Sequence, residues 1–213
     1  MKLSSIRGRI GTTQLFVLAA IAVAVGLWAG TRWLGQEPPP ELKTAVMYPA
    51  PLTIPDFELQ RSDGKAFTAA NLQGHWTITF FGFTHCPDIC PTTLTVFKQV
   101  WIKLAAAGKT DKVQFVFVSV DPERDTAEQL ARYIAFFNKD FIAATGADDQ
   151  LTRLTRALGL VYAKVPDESG GYSIDHSASV VIIDPKGRRA GLFRPPFEVT
   201  PISADITSLV DWH

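Results

Sequence analysis

FFGFTHCPDICPTTL, Phe80 to Leu94, contains Cys86 and Cys90, the only two cysteines among 213 residues. This stretch decides the fold, because two patterns meet in it. HWTITFFGF (His75 to Phe83) is a continuous β-branched and aromatic run, the pattern of a strand buried on both faces. Beyond the cysteines, Leu94, Phe97, Trp101 and Leu104 recur at helical spacing. Pro91 falls in the first turn of that helix, where its missing N–H is not needed. The two thiols therefore sit at the junction of a buried strand and a helix, where α/β sheets commonly place ligand and redox sites.

The same alternation continues outward. PDFELQRSDGKAF reads as a hairpin turning at Asp63-Gly64. KVQFVFVSVD (Lys112 to Asp121) is a second buried strand. DTAEQLARYIAFFN is an amphipathic helix with Leu130, Ile134 and Phe137 on one face and capping-box spacing at Thr126 and Gln129. FIAATG is a short strand, and a helix from about Asp148 to Leu158 stops at Gly159. LVYAKV and ASVVIID are strands, and Asp184-Pro185-Lys186-Gly187 is a turn. TPISADITSLVDW closes the chain as a helix, with Thr200 expected as N-cap and Pro201 at the first helical position. Strands alternating with helices predict an α/β domain.

The charge balance, 21 basic against 21 acidic residues, lacks the basic surplus of a nucleic-acid binder. The N-terminus has a different character. After Lys2, Arg7 and Arg9, no charge occurs from Ile10 to Thr31, and the run includes LFVLAAIAVAVGLWAG. Such a run predicts a transmembrane helix. Basic residues before it and Glu37 and Glu41 after it place the N-terminus in the cytoplasm and export the rest. We favour an uncleaved single-pass anchor in a bacterial inner membrane over a signal peptide, because no small-x-small site closes the run. Residues 1–34 are expected as the anchor, 35–49 as a Pro-rich linker around Pro38 to Pro40, and 50–213 as one domain with its own core.

A spacing of four along a helix is a rise of about 6 Å, which suits either a disulfide or a shared metal ion. A structural disulfide closing so short a loop would contribute only about 2 kcal/mol in the chain-entropy model. A thiol at a helix N-terminus is expected to have a lowered pKa. Structural zinc normally takes four Cys/His ligands, and the only histidines are His75, His85, His176 and His213. Two thiolates with one imidazole would suit copper by softness. His85 adjoins Cys86 and points to the other face of an extended chain. His75 is at the far end of its strand, and His213 is terminal. His176 is in the polar turn of YSIDHSASVV, and a lone loop histidine is more often a surface residue than a ligand.

Three blocks, GFTHCPDICP (Gly82 to Pro91), FVSVDPERDT (Phe117 to Thr126) and DHSASVVIIDPKG (Asp175 to Gly187), resemble in order and spacing the Sco/SenC family. The resemblance runs from about Pro55 to the last helix. It implies a thioredoxin-like fold, a central mixed sheet flanked by helices, in which Cys86, Cys90 and His176 bind one copper ion. It makes Asp175 and Asp121 candidate supporting residues. It further implies a membrane-anchored copper chaperone, not an enzyme, that delivers copper to cytochrome c oxidase subunit II. In its oxidised form Cys86 and Cys90 would be joined as a disulfide. A thiol–disulfide reductase that prepares a partner's cysteines is the alternative, and a redox or copper sensor a third. The C-x-x-x-C spacing, and the absence of proline between Asp167 and Asp184, depart from ordinary thioredoxin-type oxidoreductases.

Overall fold

The computed structural model describes residues 11–34, 40–166 and 170–212. Lys2, Arg7, Arg9, most of the proline spacer and His213 lie outside these. The chain forms two compact units, Met1–Pro39 and Pro40–His213.

The described residues of the first unit form the helix α1 (Thr12–Leu34), whose apolar side chains, such as Phe16 and Leu27, are exposed. Among the described residues no helix is long and apolar enough to cross a membrane. The expected transmembrane helix is thus not met over the described residues.

The second unit is a mixed eight-stranded sheet with helices packed on it. Its strands are β1 (Val46–Thr53), β2 (Glu58–Arg61), β3 (Ala66–Thr68), β4 (Trp76–Gly82), β5 (Val113–Ser119), β6 (Ile142–Thr145), β9 (Val180–Ile183) and β10 (Arg188–Phe193). They lie in the order β1-β10-β9-β4-β5-β6-β2-β3. β7 (Tyr162–Pro166) and β8 (Tyr172–His176) form a separate antiparallel hairpin. The helices are α2 (Ile89–Ala106), α3 (Ala127–Phe137), α4 (Asp148–Ala157) and α5 (Val199–Trp212).

β4 and β5 are the parallel centre, in register from Trp76↔Val113 to Gly82↔Ser119. Every residue of β4 is buried, as its unbroken apolar run requires. Phe80, Phe81 and Phe117 are at most 3% exposed, and each such burial is worth roughly 1.5–3 kcal/mol. α2 turns Leu94, Phe97 and Leu104 inward and packs against α5. The expected cap on α3 is present: Gln129 N donates to Thr126 Oγ1 at 3.3 Å.

Two boundaries differ from expectation. α5 begins at Val199, and Ile202 N donates to the Glu198 carbonyl, so Thr200 and Pro201 lie inside its first turn. Residues 43–49, expected in the linker, belong to the domain. Asp205 on α5 is buried. It accepts the backbone N–H groups of Lys43, Thr44 and Ala45 and the Thr44 hydroxyl at 2.7–2.9 Å. Val46 then pairs with Leu192.

Candidate metal centre

β4 ends at Gly82, and Cys86 lies in the short loop that follows. Cys90 is the second residue of α2. Cys86 is 9% exposed and Cys90 fully buried, and both are free thiols. Cys90 N donates to Cys86 Sγ at 3.4 Å, using a helix-terminal N–H that has no partner within the helix. The close fit depends on Gly82, because a Cβ there would lie 2.6 Å from Cys90 Sγ.

His176 arrives from a different element. It is the last residue of β8, paired with Tyr162, not part of a turn as the sequence suggested. Its Nδ1 lies 3.2 Å from the Ser177 carbonyl. A carbonyl only accepts, so Nδ1 carries the proton, and the Nε2 lone pair faces Cys90 Sγ at 3.5 Å. Phe80 and Phe83 meet the imidazole edge-on at 5.9 and 6.1 Å between centroids.

The ligand atoms of Cys86, Cys90 and His176 lie within 4.8 Å of one another. Bonds of about 2.3 Å from sulfur and about 2.0 Å from nitrogen let one ion bridge atoms up to roughly 4.6 Å apart. Small adjustments therefore close the site, and two thiols with one imidazole form a soft donor set.

Electrostatics around the site differ from one expectation. A helix N-terminus should lower a thiol pKa, yet the Cys90 thiol is held well above the ordinary range. Burial is the main cause, and the adjacent Cys86 sulfur adds to it. Complete desolvation outweighs the helix dipole here. Burial also lowers the His176 pKa, opposed by the Ser177 carbonyl and the Asp175 charge, which keeps the imidazole in its ligating form. Asp175 itself is exposed on β8, opposite Ala163.

Among the described residues, His75 and His85 lie outside this group. His75 is half-buried just before β4, with Nδ1 3.2 Å from the Gln73 carbonyl. His85 is exposed, with Nδ1 3.5 Å from Asp125 Oδ1. His85, Asp121 and Asp125 form a second close group, but protein donors already occupy both carboxylates. Asp125 accepts from Thr84 N, Thr84 Oγ1 and Ser119 Oγ at 2.5–2.9 Å. Asp121 accepts from Arg124 Nε at 2.5 Å and Tyr172 Oη at 2.8 Å. Gly82, Arg124, Asp125 and Tyr172 escaped sequence reasoning. The available signal was polar density directly after a buried strand: the DPERD of Asp121 to Asp125 can serve only local partners once β5 is in the core.

Residues 46–211 match the SCO1/SenC family. The mitochondrial SCO2 homolog of Bos taurus is 34% identical over 203 residues, 94% of this chain and 75% of that protein. The crystal structure of Arabidopsis thaliana ScoI with copper bound is 33% identical, with a TM-score of 0.69 over 75% of this chain and 98% of that one. Bradyrhizobium japonicum ScoI with copper bound is 35% identical, with a TM-score of 0.66 over 73% and 98%. With a match that spans almost the whole of its second unit, this chain belongs to the SCO1/SenC family.

Proposed function

We propose that this chain binds one copper ion through Cys86, Cys90 and His176 and passes it to a partner metalloprotein, subunit II of cytochrome c oxidase, during assembly. The observation that carries the reading is the convergence of two sulfurs and one imidazole nitrogen, from three separate positions of the fold, within 4.8 Å. The relatives solved with copper bound support the choice of metal. The copper is cargo: the chain's residues hold it and yield it by ligand exchange. Oxidation of Cys86 and Cys90 to a disulfide would remove both sulfur ligands and so gate loading. Attachment to a membrane through α1, with its exposed apolar side chains, would keep the second unit near a membrane-bound recipient.

The reductase reading has less support. An attacking thiol needs exposure and thiolate character, whereas Cys90 is fully buried and its thiol is held protonated. The test is copper stoichiometry and X-ray absorption on the reduced protein, beside His176→Ala. One tightly held copper with two sulfurs and one imidazole, weakened in the variant, is expected. No tight copper, with rapid cycling of Cys86 and Cys90 against a disulfide partner, would favour the reductase.

A further inference from the structure

The hairpin that supplies His176 pairs with no strand of the main sheet among the described residues. A two-stranded hairpin is marginal by itself, so other contacts must fix where the imidazole points. Ile174, 3% exposed, seats the hairpin in the core, but apolar contact is non-directional and leaves its orientation free. The Lys164–Glu123 pair at 2.6 Å is more than one-third exposed on both sides, which makes it weak.

One directional tie runs from β7 to α4, where Tyr162 Oη donates to Asp148 Oδ1 at 2.7 Å; those that hold β8 centre on Arg124, in the loop after β5. Its Nε donates to Asp121 Oδ2 at 2.5 Å, and its Nη1 donates to the Tyr172 carbonyl at 3.0 Å. Its Cζ lies 3.9 Å from the Tyr172 ring centroid and 5.8 Å from that of Phe83. Tyr172 Oη closes the loop by donating to the other oxygen of Asp121 at 2.8 Å. Asp121 is fully buried, so both jaws of this clamp share one immobile carboxylate. One jaw grips the first residue of β8, and β8 ends at His176. The other backs Phe83, whose ring meets the imidazole edge-on.

We propose that Arg124 is a positioning residue for His176: clamped between Asp121, Tyr172 and Phe83, it sets the imidazole against the two cysteines. This deepens, and rests on, the reading of Cys86, Cys90 and His176 as one metal site. The role needs a planar side chain that donates in two directions while stacking on a ring. Arginine can do this and lysine cannot.

The test uses the full chain, reduced and metal-free, as wild type, Arg124→Gln, Arg124→Lys and Tyr172→Phe. Two NMR readouts need no metal: the ring-current shift of the His176 ring protons, and amide exchange in β7–β8 compared with β4–β5. Both Arg124 variants are expected to lose the ring-current shift and speed hairpin exchange about tenfold or more, with β4–β5 unchanged. Tyr172→Phe, which keeps the ring and loses the hydroxyl, should lie between. On copper(I) loading, X-ray absorption should keep two sulfurs and lose the imidazole. An unaltered His176 signal in Arg124→Gln would overturn the proposal, as would exchange rising equally in β4–β5. Wild type that takes up no copper would sink the metal reading, while the metal-free signals still decide the clamp.

Discussion

Gly82→Ala is the sharpest perturbation of the site, because it adds one methyl group at the place where β4 touches Cys90. That methyl would lie 2.6 Å from Cys90 Sγ and 3.0 Å from Phe117 Cε2, where relaxed contacts need about 3.5–4.0 Å. β4 is held at this point by β5, with Gly82 paired to Ser119 and its carbonyl accepting from Val120 N. The sulfur must therefore move by about 1 Å, against a tolerance of about 0.2 Å for a metal–ligand distance. Overpacking should cost about 1–3 kcal/mol, a fall in Tm of roughly 2–12 °C for a unit of this size. Copper affinity should fall at least about tenfold, the lower end of what disturbing even the support of a metal ligand does. Gly146→Ala is the control, since its methyl would lie 2.7 Å from Leu59 Cδ2 on β2, three strands from β4. It should lower Tm without changing affinity. Competition against a copper(I) chelator, with calorimetry, reads both quantities. Gly82→Ala with wild-type affinity and unchanged copper–sulfur distances would refute the reasoning.

Asp125→Ala strips the acceptor from Thr84 N, Thr84 Oγ1 and Ser119 Oγ; with these neutral donors left unsatisfied, the unit should lose about 1–3 kcal/mol in urea unfolding. Asp205→Ala should free residues 43–45, speeding amide exchange in β1 while copper binding stays at wild type. Because the buried Cys90 holds its proton above the ordinary thiol range, copper loading at pH 7 should release that proton, and pH-stat titration should detect it. In the metal-free protein the unfolded thiol ionises above about pH 8.5 while the folded one does not. Stability should therefore fall there by up to about 1.4 kcal/mol per pH unit, and Cys90→Ala should lack that component.

The central sheet was legible because β4 and β5 are unbroken apolar runs, and periodicity reports such strands directly. β1 was not, since VMYPAPLT carries two prolines and lies at a sheet edge, which holds little pattern. β8 was hidden for a related reason: YSIDH buries only Ile174, and its partner is another short strand. The cysteines showed in the sequence as a local pair, but a histidine 86 residues beyond Cys90 cannot be joined to them by spacing. Only the family resemblance tied it to the pair, and the structure then brought the three together. The Cys90 pKa was misjudged because the dipole is a local property and burial a global one.

The seven-rung register of β4 against β5 also limits how the gene can vary in length. Adding or removing one residue within Trp76–Gly82 would turn every following side chain to the opposite face. Since Val120 N donates to Gly82 O just past the last rung, the loop bearing Cys86 and the loop bearing Asp121 would lose their alignment together. The turns at Gly64 and Gly108, where positive-φ glycines face open space, carry no such constraint. Insertions, epitope tags and fluorophores belong there, and length variation among natural variants of this chain should gather at those turns and spare the two strands.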